Sequence, residues 1–294
     1  MVKQVEHILA PREPHFVGDG FRVHNFIPGV QPLSMQRMDP FIMLDYNSLV
    51  TFPPAESPRG VGVHPHRGFE TVTIAYKGRV EHHDSTGAGG IIGEGDVQWM
   101  TAGAGILHKE FHEKEWSKQG GPFQMVQLWV NLPAKHKREQ PGYQSITKEN
   151  IVKVPILAEG DNVVGQVEVI AGNYKGQKGP AHTFSPIQLM NVRFSKPGKA
   201  DFSFVAGENT GLLVIEGSVK VNGSGLVQTN HFVLLGQAGE DFTIESEAEA
   251  LVLILSGEPL HEPIAAHGPF VMNTKAELME AFEDYQNGKF GKLD

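Results

Sequence analysis

Along most of the chain, short runs of alternating or wholly apolar residues are separated by turns rich in glycine and proline. The runs TVTIAYKG, VEHHD, DVQWM, ILHKEFH and FQMVQLWVNL occupy the first half; GQVEVIAG, IQLMNVRF, GLLVIEGSVKVNG, HFVLLG and DFTIESEAEALVLILSGE occupy the second. A period of two between turn signals is the mark of strands, and its regular recurrence predicts an all-β chain built as sandwiches or barrels. The polar stretch PAKHKREQPGYQSITKEN, from Pro133, interrupts the pattern and is the best linker candidate. We therefore expect two β domains of similar size, residues 1–134 and 135–294. Each half contains an apolar strand closed through a glycine into a second strand, TIAYKGRVEHH in one and LLVIEGSVKVNG in the other, a hint of internal duplication. Only the last segment, TKAELMEAFEDYQNG, has a helical period. Thr274 and Glu277 form a capping-box pair, Leu278, Phe282 and Tyr285 share one face, and Gly288 marks the stop.

Composition narrows the chemistry. The chain of 294 residues is long enough for two cores, and 25 basic against 34 acidic residues give a net charge of −9. Such a balance lacks the basic footprint that grips a phosphate backbone, so direct nucleic-acid binding is not expected. There is no cysteine, which leaves histidine and carboxylate as the ligands for any metal site. The N-terminus has no apolar signal region, and ALVLIL from Ala250 is too short to span a bilayer; a cytoplasmic protein without membrane association is the expectation. The segment GAGGIIG from Gly87 has the wrong spacing for a nucleotide loop and reads as a hairpin turn, and KHKRE near Lys135 reads as a solvated linker.

The candidate chemistry lies in HPHRGFE and GILHKEFHE. On an extended segment His64 and His66 point to one face and Pro65 to the other; a proline there requires an edge, a strand start or a bulge. His108 and Glu110 share a face by the same period. Either pair alone is more often a hydrogen-bonded core feature than a ligand set. Both pairs facing inward from neighbouring strands would bring three imidazoles and one carboxylate to a point, and a metal satisfies four buried polar groups at once. Alternatives stay open at this stage. His112 has the parity of His108 and Glu110, only one of His82 and His83 can face inward, and Glu70 has the parity of His66. Phe69, Trp99, Met100 and Trp129 are candidates for a pocket wall, although aromatics on strands usually fill a core. The second half has His182 and His231 but no His-x-His, so no metal is expected there.

Taken together, HPHRGFETV, GDVQWMTAGAGILHKE, VQLWVNL and GEPLHEPIAAHGPFVMNT resemble the pirin family of the cupin superfamily over nearly the whole chain. The resemblance implies a bicupin fold: two tandem antiparallel β-barrels of the double-stranded β-helix type, here with a C-terminal helix, and metal in the N-terminal barrel alone. Carried over by position, it implies His64, His66, His108 and Glu110 as metal ligands. Many cupins take their glutamate ligand at the position of Glu70, so Glu70 is the rival to Glu110. The resemblance further implies one divalent metal, iron(II) before zinc, manganese, cobalt, nickel or copper, and a monomer. The activity it implies is that of a quercetin 2,3-dioxygenase, acting on a flavonol-like molecule with O2, with Glu110 as ligand and general base. The alternative is a metal- or redox-dependent regulatory protein that binds a protein partner without turnover. A zinc hydrolase or isomerase is a third possibility, because spacing does not select the metal.

Overall fold

The computed structural model describes residues 1–294. The chain divides into two compact units. The first comprises Arg12–Gln36, Pro40–Lys148 and Leu260–Asp294; the second comprises Met1–Pro11, Arg37–Asp39 and Glu149–Pro259. Up to Lys148 the strands are β1 (Val5–Leu9), β2 (His15–Val17), β3 (Phe21–Ile27), β4 (Phe41–Phe52), β5 (Gly60–His66), β6 (Phe69–Lys77), β7 (Val80–Asp84), β8 (Gly89–Ile92), β9 (Val97–Thr101), β10 (Ile106–His112), β11 (Gly121–Asn131) and β12 (Gly142–Ile146).

In the first unit these strands form a seven-stranded sheet, in the order β12-β9-β6-β11-β4-β3-β2, and a four-stranded sheet, β5-β10-β7-β8. All the ladders are antiparallel. In the second unit β1 pairs with Phe232–Leu235 at one edge of another seven-stranded sheet, and Gly198–Ser203, Asp241–Ser246, Ser218–Val221 and Val227–Gln228 make another four-stranded one. The seven-plus-four plan therefore occurs twice, which is the two-barrel, all-β architecture expected. The two glycine hairpins hold the same place in it. Each leaves a middle strand of the seven-stranded sheet and enters the four-stranded sheet through a glycine with positive φ, Gly78 at 85° and Gly217 at 72°.

The two four-stranded sheets differ in what they turn inward. Where β5 and β10 oppose His64 and His108, the matching strands of the second unit oppose Ala200 with Ile244 and Phe202 with Phe242, all four within the apolar core. Those positions have no imidazole or carboxylate to offer a metal.

The expected linker and the expected placing of the helix both change. Gly142–Ile146 is an edge strand, paired with β9 from Gly142 opposite Thr101 to Ile146 opposite Val97. Just before it, Lys137 is buried and donates to Gly68 O at 2.9 Å, Asn131 Oδ1 at 2.7 Å and Val271 O at 3.0 Å. An ammonium has three donors, and all three are satisfied, which makes the burial tolerable. Residues 135–148 thus complete the first unit instead of opening the second. The C-terminal helix, Lys275–Gln286, forms as its capping box predicts, with Thr274 and Glu277 each satisfying the other's backbone N–H. It packs Leu278, Ala281 and Phe282 with Phe270, Met272 and Leu107, and the helix is itself part of the first unit. No helix is long and apolar enough to cross a membrane.

Candidate metal centre

Register brings the candidate ligands together. On the β5–β10 ladder His64 lies directly opposite His108 and His66 opposite Ile106; on the β10–β7 ladder His108 lies opposite Asp84 and Glu110 opposite His82. Along β10 burial alternates, so that Ile106, His108, Glu110 and His112 face in. β5 is the edge strand of its sheet, where Pro65 can sit without leaving a neighbour's carbonyl unpaired. As a result, one ligating atom from each of His64, His66 and His108 lies within 4.8 Å of the others, and His82, His108 and Glu110 form a second, overlapping group of the same tightness.

His64 and Glu110 are each held by a partner behind them. His64 Nδ1 lies 2.8 Å from Gly62 O; a carbonyl only accepts, so Nδ1 carries the proton and Nε2 keeps its lone pair. Glu110 accepts from Gln127 Nε2 at 2.9 Å and from Thr73 Oγ1 at 3.4 Å. Burial, with His64 next in effect, holds His66 well below the usual imidazole range, and burial together with His66 and His64 does the same to His108. Both rings are therefore neutral, the form that ligates metals. His66 Nδ1 and His108 Nε2 are buried and have no hydrogen-bond partner. Unsatisfied buried nitrogens of this kind are costly, and a cation among them would remove the cost. The donor set thus fits a divalent metal.

The His108 ring packs against those of His64 and His66, with centroids 4.2 Å and 4.6 Å away. His64, His66 and Glu110 line a cavity of about 360 Å³, walled by Phe21, Val23, Met43, Met125 and Trp129 with Asp45 and Gln127 as further polar points. That is the size and character of a small-molecule site.

The Pirin family pattern matches residues 20–130 and the pirin C-terminal cupin domain matches residues 189–291. A Pseudomonas aeruginosa protein named "Putative quercetin 2,3-dioxygenase" is 44% identical over 289 residues, covering 98% of this chain and 99% of its own. A pirin-like protein of Caulobacter vibrioides is 40% identical, covering 87% and 88%. This chain belongs to the pirin family. Among solved structures, quercetin 2,3-dioxygenase from Acinetobacter baumannii superposes with a TM-score of 0.92 at 44% identity, with full coverage of both chains. A bacterial pirin of Escherichia coli, solved with nickel(II), shares the fold with a TM-score of 0.64 at 17% identity, over 86% of this chain and 99% of its own.

Within this pirin fold, the other candidates separate clearly. Glu70 joins neither group of possible ligands; it accepts from Thr101 Oγ1 at 2.7 Å, and burial raises its carboxyl to about 7. His112 bonds Gly20 O at 2.7 Å among Phe52, Phe123 and Trp116, a core position where burial lowers it to about 4. Of the adjacent pair, His82 is buried and His83 is exposed beside Glu81 at 2.9 Å. Trp129 lines the cavity, and Phe69 stacks on it at 4.2 Å and touches the His66 ring at 5.1 Å. Trp99 and Met100 are not in that wall: Met100 packs with Ala102, Ile106 and Tyr143, and Trp99 lies opposite Val72 within the sheet. The sequence reading missed Asp45, Gln127 and Thr73. A lone carboxylate inside the apolar run FIMLDYNSLV was the available signal for Asp45, whose carboxyl is raised by burial, against the Asn25 amide that donates to it at 2.7 Å.

Proposed function

We propose that the protein is a metal-dependent flavonol dioxygenase that opens the heterocycle of quercetin-like substrates with O2 and releases carbon monoxide. His64, His66, His108 and Glu110 hold one divalent metal, with iron(II) the native ion. The observation that carries the reading is a pair of imidazoles and a carboxylate, His64, His66 and Glu110, lining a largely apolar cavity, with a third imidazole, His108, close enough to share a ligand group with the two histidines and another with Glu110. The names of the Pseudomonas and Acinetobacter relatives support it.

When bound, the metal supplies Lewis acidity toward a substrate oxygen and one-electron chemistry with O2. The rest is the work of side chains. Trp129, backed by Phe69, and the Phe21 ring offer flat apolar surface to a flat polycyclic substrate. Glu110 accepts the 3-hydroxyl proton, and Gln127 and Thr73 keep its two oxygens aimed while it does so. Asp45 gives the cavity a second polar point, against which a ring hydroxyl can be oriented.

The test is oxygen uptake and carbon monoxide release by iron(II)-loaded protein given quercetin, beside a His64→Ala control. Both signals present, and both lost in the control, is the expected result. Absence of uptake at one iron per chain would overturn the dioxygenase reading in favour of a metal-dependent binding protein.

A further inference from the structure

His82 has no task in the site as described, yet it is fully buried beside it. Its ring stacks on Tyr143, with centroids 5.4 Å apart and planes at 19°, and its Nδ1 stands 3.4 Å from Nδ1 of His108. On the other side, His82 Nε2 is 3.6 Å from Asp84 Oδ2, just outside hydrogen-bonding distance, and neither atom has a partner of its own. The direction of Asp84 is already fixed: its Oδ1 accepts from Thr86 N at 2.8 Å, Thr86 Oγ1 at 2.6 Å and Ala88 N at 3.3 Å, which ties the hairpin and leaves Oδ2 turned to His82.

The proton positions follow from what each group can do. A carboxylate only accepts, so His82 carries its proton on Nε2 and keeps a lone pair on Nδ1. Where two ring nitrogens face each other, one must donate. His108 therefore carries its proton on Nδ1, and its lone pair falls on Nε2, the buried atom with no partner.

We infer that Asp84 and His82 are positioning residues that fix the tautomer of His108 so that Nε2 presents its lone pair to the metal. The inference rests on reading His108 as a ligand. It gives His108 a backing equivalent to the one the Gly62 carbonyl gives His64. Partners behind ligating histidines orient the ring and raise its basicity, and their loss typically costs 10–100-fold in metal affinity.

The test begins with metal-free protein and nitrogen-15 spectra of the histidines. Wild type should show His108 protonated on Nδ1 and His82 on Nε2. Asp84→Asn retains an oxygen for Thr86 but offers an NH2 group to His82, so it should reverse both rings and leave His108 protonated on Nε2. Zn(II) affinity, read by chelator competition, should fall about 10–100-fold in Asp84→Asn and His82→Phe. His82→Gln, whose carbonyl can accept from His108 Nδ1, should recover most of that loss, and melting temperatures check that the variants fold.

Unchanged His108 tautomers in Asp84→Asn and His82→Phe, with tight Zn(II) binding, would overturn the inference alone. So would a zinc-ligated nitrogen shift on His82 itself, since that makes it a ligand in the group with His108 and Glu110. Failure of the wild type to take up one Zn(II) per chain would instead overturn the metal-centre reading on which the role depends.

Discussion

Glu70, on β6 of the seven-stranded sheet, and Glu110, on β10 of the four-stranded sheet, both belong to the first unit, and their surroundings give them opposite behaviour. Alternation along β6 puts Phe69 and Thr73, which touch His66 and Glu110, on the face opposite to Glu70. Buried there with Thr101 as donor, Glu70 is raised to about 7. Its folded value lies above the unfolded one, so the native state holds the proton more tightly and stability is greatest below the unfolded pKa. Stability is then lost as pH rises from about 4.5 through about 7. Between pH 5 and 8 this group alone should remove about 2–3 kcal/mol, a loss that Glu70→Gln abolishes; urea unfolding at the two pH values measures it. Glu110→Gln is expected to act on chemistry. Three imidazoles still retain one metal per chain by elemental analysis, while turnover falls about 10²–10⁴-fold because no base receives the substrate proton. Full activity in that variant would remove Glu110 from the role of base. Parity in the sequence was enough to pair His64 with His66 and His108 with Glu110, because each pair lies within one strand. It failed for Glu70, since the chain turns between β5 and β6 at Gly68, with φ of 89°, and counting by twos does not survive a turn. A Cβ on Gly68 would collide with Val271 O, so the turn belongs to a contact with chain about 200 residues away that no local pattern discloses.

At the scale of elements, the C-terminal helix is the clearest example of a form legible locally and a location that is not. The capping box and the apolar face were both in the sequence; the partner was not, because Leu107, Phe270 and Phe290 carry no label saying what covers them. Two arginines tie this helix to the rest of the unit through ion pairs, and burial separates their expected worth. Arg67, which follows the His-x-His directly, is 3% exposed and reaches Asp284 at 2.7 Å; Arg138, half exposed, reaches Glu280 at 2.6 Å. Replacing Arg67 by Met should cost about 2 kcal/mol, since a charged hydrogen bond is lost from a closed environment. Replacing Arg138 by Met should cost about 0–1 kcal/mol, because water screens that pair and already solvates both ends. Equal losses in urea unfolding would contradict this ranking. The polar run from Pro133 was misread for a related reason. Charge-rich composition usually means solvent, and Lys137 escapes the rule only because the nearby Asn131 amide oxygen and two carbonyls from distant segments, Gly68 and Val271, converge on it.

For the whole molecule, the consequence is that the unit with the proposed metal centre closes with residues 260–294. Val271 donates to Arg67 O and accepts from Lys137, Arg67 N donates to Pro269 O, and Val271 packs with Phe69 and Ile42. The two strands that carry the proposed ligands thus lean on residues 260–294, although both are complete before residue 113. A chain ending at Pro259 retains every proposed ligand and every strand of both barrels, so composition and motif alone would predict that it still binds metal. The packing predicts otherwise. Removal of the tail strips Arg67 of its carboxylates, leaves Lys137 one acceptor short, and exposes Phe69, Leu107 and Ile42, each loss falling next to His66 or His108 in sequence or in space. Buried cations left unpaired and apolar surface returned to water together outweigh the entropy gained by freeing the tail. The truncated chain should melt at least about 10 °C lower for the first unit, since several kcal/mol are lost and each shifts a domain of this size by about 2–4 °C. Its Zn(II) affinity should fall at least about tenfold, in line with loss of the groups that orient ligands. Calorimetry and chelator competition on the truncated and full chains decide the point: a first-unit transition and an affinity both unchanged would mean that the barrel holds its ligands unaided.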